Sequence, residues 1–512
     1  MCRTPSKEDV RAVLSTALPD VTVKSVQAIP SPRLQRLYEV SIDSNDGTLL
    51  LVLAPPHRVR LLRSEQLMVE SEAVTLRWIR ETLLSRRYLG TDGAKQLDAA
   101  AVEKHESDRA DQQPAKSTTS STDILRYMPA LVHLQVVPSP DRPTCSFYES
   151  KQGTPIISLV PGGLLLNPAE KQGVDKQLGS LLRQLAQLIS PSGRFGPAAA
   201  VLSSSSSLKT IMGVDGTESW SAAFHLMLEG ILRDGEDMAV MIGYSAIRRH
   251  FRRFRYLLDS SVTIPRLVVI DGAEELNIMV STPSTSATSR NDSNKKPEQQ
   301  QSNPTILQAT SQISLSAETA EQPIQDDGGA TTADEKTGGQ EEESVRGAAP
   351  IMALSGLRDW SNCIFGDPLL ATVFSTGPPS TEFLEGFNGS GAETEQPARG
   401  TGGTASSSKS SPSSYSSNLV SLLNKNVIVE DAETASIRLL LYQVYHASVS
   451  IVREFYRPRR ESSRRELEAR KRLTEALAKL ELVPDDPKRS HSRPSGEMSS
   501  AKRAKQDASD GY

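Results

Sequence analysis

Apolar positions return at intervals of three and four from Lys7 to Leu18, at Val10, Val13, Leu14 and Leu18, which predicts a short helix. Two strand-like runs follow, Leu37–Ile42 and Thr48–Leu53, separated by Asp43-Ser44-Asn45-Asp46-Gly47, whose residues favour a hairpin turn. Ser64 to Arg86 reads as a helix with Val69, Ala73, Leu76, Ile79 and Leu83 on one face. From Leu89 to about Ser121 the pattern fades into a polar insertion. Leu131–Val137 and Pro155–Val160 read as two further strands, and after Pro161-Gly162-Gly163 the period becomes helical. One stripe is Leu178, Leu181, Leu182, Leu185 and Leu188, a second is Phe224, Leu228, Ile231 and Leu232, and a third runs from Ile437 through Leu440, Leu441, Val444 and Tyr445 to Val449. A small strand-rich lobe thus precedes a larger helical one, with a Pro-Gly-Gly hinge between them.

Composition changes that picture in a few places. Residues 281 to 349 contain no Phe, Trp or Tyr, and 389 to 417 have a similar Gly, Ser and Thr character. Neither tract can bury enough apolar area to offset chain entropy, so both are expected to be disordered insertions. With 37% apolar and 5% aromatic residues in 512, one ordered body interrupted by polar tracts fits better than several domains. Its expected parts are an N-terminal lobe over 6–160, a helical lobe over 161–457, and a tail over 458–512. That tail holds a charged helix from Arg459 to about Leu480 and a polar end with Lys502-Arg503-Ala504-Lys505.

A net charge of −4 and a pI near 6.1 leave no global basic field, so nucleic acid is not expected as a partner. The run Arg248 to Arg255 mixes arginines and aromatics, yet Phe251, Phe254 and Leu258 share helical spacing, which makes it the basic face of a packed helix. Cys2, Cys145 and Cys363 are too few and too scattered for a disulfide framework, and the seven histidines lie at no ligand spacing for zinc. The N-terminal residues lack an apolar signal core, and no apolar run approaches the roughly 20 residues of a membrane span. The expectation is a cytoplasmic protein without a membrane partner, with the basic tail as a candidate nuclear-import signal.

Chemistry concentrates in Gly356-Leu357-Arg358-Asp359-Trp360, followed after four residues by Phe365-Gly366-Asp367-Pro368-Leu369-Leu370. An acid held between apolar positions, then an aromatic, then a Gly-Asp-Pro opening a new apolar segment resembles the way a small-molecule kinase presents a carboxylate to the magnesium of ATP. Hard oxygen ligands suit that ion. Asn277-Ile278-Met279-Val280 supplies an amide at the start of an apolar strand. The alternative is that Asp359 caps a turn and Asn277 opens a strand; Asp367 reads as a helix cap.

Together these segments resemble the aminoglycoside phosphotransferase family, in its divergent fungal branch, over Ser6–Leu84 and Leu131–Arg457 outside the polar tracts. The resemblance implies an α+β, two-lobe, protein-kinase-like fold with ATP between the lobes. It implies Asn277 and Asp359 as ligands of Mg2+, Asp271 as the base, and Glu72, Ser31 and Arg33 at the nucleotide. Glu72 lies in the matching Glu-Ala pattern, and Ser31 and Arg33 lie in the turn that would cover the phosphates. Phe195-Gly196-Pro197 and Glu385-Gly386-Phe387 fit the same pattern.

Three positions depart from it. The family's His-Gly-Asp places Asp five residues before the Asn, where this chain has Gly272; Asp271 stands six before, and Ile270 falls at the His. Glu274 and Glu275 are substitutes of the right chemistry. The lysine expected on the strand around Leu50–Leu53 is missing, with Ala54-Pro55-Pro56-His57 following, and Arg58, Arg60 and Arg63 are the nearest cations in sequence. The turn Pro30–Leu34 carries no glycine for close approach to phosphate. Two functions follow: a phosphotransferase acting on a hydroxyl of an unknown small molecule, or a catalytically impaired pseudokinase that binds or scaffolds, with the long insertions as places for a protein partner.

Overall fold

The computed structural model describes residues 4–43, 47–98, 121–136, 144–150, 153–159, 166–203, 215–281, 352–389 and 428–484. The Pro161-Gly162-Gly163 hinge, nearly all of the two long polar tracts and the Lys502–Lys505 cluster lie outside the described residues.

The chain begins with α1 (Lys7–Leu14), whose start is set by a capping box between Ser6 and Asp9. Next come β1 (Val23–Ile29), β2 (Arg36–Ile42) and β3 (Thr48–Leu53). With β4 (Leu131–Gln135) and β5 (Cys145–Glu149) they form an antiparallel sheet in the order β1-β2-β3-β5-β4. Period-2 alternation sorts the two faces. Tyr38, Val40, Ile42, Leu49, Leu51 and Leu53 pack against Val10 and Leu14 of α1. Leu37, Val52 and Tyr148 point the other way, into the main core with helix α2 (Met68–Asp98). Val69, Ala73, Leu76, Ile79 and Leu83 of α2 are buried, as their spacing predicts. The helix runs on to Asp98, into the stretch whose polarity pointed to an insertion.

After a two-residue strand β6 (Thr154–Pro155) the chain turns helical as α3 (Ile156–Leu159), where a strand was expected through Val160. Leu159 faces the core, and a run as short as Ile-Ile-Ser-Leu carries no period that separates helix from strand. The helical lobe contains α4 (Pro168–Ala186), β7 (Gly196–Pro197), α5 (Ala198–Leu202), α6 (Trp220–Asp237), α7 (Tyr244–Ser261), β8 (Arg266–Val269), β9 (Ile278–Ser281), β10 (Ala353–Leu357), β11 (Cys363–Gly366), α8 (Thr381–Asn388), α9 (Ala435–Tyr456) and α10 (Ser462–Leu482). Asn167 and Glu170 form a capping box on α4, with Pro168 in its first turn. Small residues let α8 lie close on α4: a Cβ on Gly179 would meet the Phe383 carbonyl at 2.1 Å, and one on Gly386 the Lys176 carbonyl at 2.1 Å.

Two short sheets, β10-β9-β6 and β7-β11-β8, are linked by the β8–β9 and β10–β11 connections, which line one cleft. Ser281 pairs with Ala353 across β9 and β10, so the tract between them enters and leaves at adjacent points. Its length adds little closure cost there. Three arginines of α7 are engaged by the helical lobe: Arg248 pairs with Glu229 and Glu236, Arg249 with Glu481, and Arg253 donates to the Leu480 and Val483 carbonyls. The charged helix α10 is likewise part of this body, burying Ala469, Leu473, Ala476 and Leu480. The molecule is thus a two-lobe α+β protein, with a β-rich N-lobe and a helical C-lobe in the order expected of a kinase-like fold.

Candidate active site

Between β8 and β9 the chain makes successive tight turns: Gly272 N–H donates to the Val269 carbonyl, Glu274 N–H to Asp271 and Asn277 N–H to Glu274. These turns bring Asp271 to the cleft beside Glu274. Asn277 is buried, and both ends of its side-chain amide are engaged. Its Oδ1 accepts from the Asp359 N–H at 2.5 Å, while Nδ2 donates to the carbonyls of Asp359 at 3.0 Å and Asp271 at 3.3 Å. One amide therefore ties the loop after β8 to the loop after β10.

That tie positions the Asp359 carboxylate. Its Oδ1 accepts from the Ser361 N–H at 2.9 Å, so it does cap a turn. Its Oδ2 stands 2.9 Å from Nε of Arg33. Arg33 comes from the turn between β1 and β2 and is almost wholly buried, with 5% of its side chain exposed. It donates to Glu72 Oε2 at 2.8 Å and to the Arg358 carbonyl at 2.8 Å. Glu72, on α2, accepts in addition from the Trp360 N–H at 3.2 Å. Ser31 holds the turn, accepting from the Arg33 N–H at 3.1 Å and from Arg358 Nη2 at 2.8 Å. Ser31, Arg33, Glu72, Asn277 and Asp359 are thus joined in one network, with Asp271 at its edge.

Strand β3 carries no cation, and the buried charge beside Glu72 is Arg33, from the turn between β1 and β2. Of the arginines nearer to the strand in sequence, Arg63 pairs with Asp234 and Asp237, Arg60 lies against Met238, and Arg58 is exposed. A planar fork that serves two carboxylates and a carbonyl at once is a geometry lysine cannot copy. Nothing in the spacing of Arg33 to Glu72 along the sequence announces the pairing.

Burial works against charge on Arg33, but Asp359 and Glu72 outweigh it and raise its pKa above the ordinary value. Burial raises Glu72, with Arg33 opposing. Burial also pushes Asp271 well above the usual carboxylate range, reinforced by Asp359 and Glu274. Among the described residues Asp271 Oδ1 has no hydrogen-bond partner. It faces a cavity of about 520 Å3 whose lining includes Arg33, Glu274, Asn277, Asp359 and Arg453. In a second cavity of about 550 Å3, the acids Glu229 and Asp234 are already paired with Arg248 and Arg63, so the unsatisfied oxygen chemistry belongs to the first. Asp367 lies outside the cleft chemistry: Oδ1 caps the turn at Leu369, and Oδ2 accepts from Arg438 and Tyr442.

No group of three or more His, Cys, Asp or Glu side chains among the described residues is placed to hold a metal ion. A magnesium ion would need phosphate oxygens to complete its shell, as is usual for that ion. The acid-rich rim of Asp271, Glu274 and Asp359 fits a divalent cation whose shell is completed by ligands from outside the chain.

No family model and no curated protein matches the chain. Among solved structures, a mutant aminoglycoside 2'-phosphotransferase-IIIa in complex with GDP is similar, with a TM-score of 0.38 and 12% identity, covering 93% of this chain and 98% of that one.

Proposed function

We propose that this protein is an ATP- and magnesium-dependent phosphotransferase that moves the γ-phosphoryl group onto a hydroxyl of a small molecule. One observation carries the reading: Arg33 reaches Glu72 and Asp359 at once, which returns to the cleft the cation its strands lack. Phosphoryl transfer is mostly positioning and charge stabilisation, and this network supplies a fixed guanidinium and a fixed carboxylate for the donor phosphates. Asp359, held by the Asn277 amide, is the side chain that would hold magnesium, which on binding would neutralise charge on the phosphates. Asp271 is the base. Its unpartnered Oδ1 takes the proton of the acceptor hydroxyl as that oxygen bonds to the γ-phosphorus, and the bond from phosphorus to the bridging oxygen breaks to release ADP. Burial raises the basicity of Asp271, which favours that proton transfer.

A second reading, a non-catalytic nucleotide-binding or scaffolding module, is favoured by the closure of the network. Arg33 and Glu72 are 5% and 2% exposed, and the Asn277 oxygen assigned to the metal already accepts from Asp359. Thermal melts with ATP, with and without magnesium, compare wild type with Asp359→Ala. A magnesium-dependent rise lost in the variant supports a working donor site. Absence of any rise at millimolar ATP contradicts both nucleotide readings.

A further inference from the structure

The inner end of the cleft is acidic, and its outer wall is basic. Arg453 and Arg457 lie at the end of α9, Arg459 in the connection to α10, and Arg465 and Arg472 on α10, and all line the same cavity as Asp271. Arg465 and Arg472 are seven residues apart, and Arg453 follows His446 by seven, so each helix turns one face to the cavity.

The five arginines divide into two kinds. Arg457 is closed by Glu65, with oxygens at 2.6 Å, and Arg465 by Glu454 at 2.9 and 3.0 Å. These pairs brace the wall. Arg453, Arg459 and Arg472 are exposed and have no ion-pair or side-chain hydrogen-bond partner among the described residues. A surface helix with a purely solvating role has no reason to gather three open guanidiniums on a cavity lined also by Thr372, Thr376 and Ser450.

Charge also separates along the cleft. Arg33 acts on Asp359 and Glu72, on the side assigned to the donor phosphates. Arg453 acts on Asp271 and Glu274, on the side where an acceptor hydroxyl must lie. The half-buried His446 between the wall and the core is lowered to about 4 by burial, with Arg453 and Arg472 contributing. It adds no charge near neutral pH, and the field on this side comes from the arginines. An amine-bearing acceptor would meet like charge there; an anion would meet planar forks suited to phosphate or carboxylate.

We propose that the acceptor is an anionic hydroxy compound, bearing a phosphate ester or a carboxylate, with its hydroxyl at Asp271 and its anionic group held by Arg453, Arg459 and Arg472. This rests on the phosphotransferase reading for the hydroxyl, while the anion site can be tested without turnover. Binding of glycerol phosphate, glycerate, inorganic phosphate and an amino sugar to the full chain is measured by calorimetry, in wild type, Arg453→Gln and Arg472→Gln, with circular dichroism checking the fold. The expected result is binding of the anions but not of the amino sugar, weakened about tenfold or more in either variant, with ATP affinity unchanged; glycerol phosphate against glycerate then tells the two anions apart. Equal loss of ATP affinity, anion binding that survives both substitutions, or preference for the amino sugar would overturn the proposal. Anion binding lost in the variants, with no ATP turnover on any probe, would keep the anion site and sink the phosphotransferase reading instead.

Discussion

Asn277 pairs with the backbone of Asp359 on both sides, accepting its N–H at 2.5 Å and donating to its carbonyl at 3.0 Å. A side-chain amide here does what a strand neighbour would do, and it spans 82 residues of sequence. The loop that carries Asp271 and the loop that carries Asp359 are thereby set at one distance, before any ligand arrives.

Asn277→Ala removes both bonds to Asp359 and the one to the Asp271 carbonyl. Buried polar groups left without partners cost about 1–3 kcal/mol, so denaturant unfolding should show a loss in that range. Asn277→Asp should behave almost as badly, because it replaces the donating end with an acceptor facing two carbonyls. A variant as stable as wild type would mean that the pairing is incidental.

Arg33 is enclosed by Glu72 and Asp359. Its replacement by Met leaves two withdrawn carboxylates without their counter-charge, a change that costs about 3–5 kcal/mol when one partner of a buried pair is removed. Pairing it with Glu72→Gln should recover part of that loss. A double-mutant cycle that shows no coupling would count against the network.

Asp271→Asn tests the cost of holding a carboxylate ready. Burial, Asp359 and Glu274 raise the folded-state pKa of Asp271 above 3.8, so the folded protein binds a proton more tightly than the unfolded chain. Wild-type stability must therefore fall as pH rises through the window above 3.8. The variant lacks this term. It should be the more stable protein on the alkaline side, by about 1–3 kcal/mol, with the gap closing as pH falls toward the ordinary carboxylate range. Melting curves of the two proteins across pH check this, and a wild type that gains stability relative to the variant as pH rises would contradict it.

The Asp367, Arg438 and Tyr442 cluster is buried outside the cleft, with Trp220 Nε1 donating to the Tyr442 hydroxyl at 2.8 Å. Asp367→Ala should cost about 3–5 kcal/mol, because Arg438 would be left charged and fully withdrawn from water. Asp367→Ala and Arg438→Leu together should be milder than either alone. Unfolding free energies that simply add would argue against the pair.

Much of this architecture was legible because helical stripes repeat. Val69 to Leu83 and Leu178 to Leu185 announce both the helix and its buried face, while Leu188, the last of the second stripe, lies past the helix end at Ala186. Strand β5 was missed because Cys145, Ser146, Phe147 and Tyr148 are all buried, so no alternation marks them. Strand β1 reads Val-Lys-Ser-Val-Gln-Ala-Ile, half-exposed along much of its length. At the site, residue types point to Asp271, Asn277 and Asp359, but contacts across long sequence separations have no local period. The Arg33 pairing with Glu72 is one such contact. The arginine wall is another: α10 reads as a charged tail, and only its packing through Ala469 and Leu473 turns Arg465 and Arg472 toward the cleft.

The most direct test of the central claim is release of radiolabelled phosphoryl product from ATP and magnesium in the presence of a hydroxy acid or a phosphorylated alcohol, for wild type and Asp271→Asn, with the ATP-induced melting shift as a measure of loading. Transfer by wild type is expected, with loss of transfer by about a hundredfold or more in the variant, as for removal of a general base, while the melting shift is kept. Equal transfer by both proteins, or a full melting shift in wild type with no transfer to any acceptor, would contradict it.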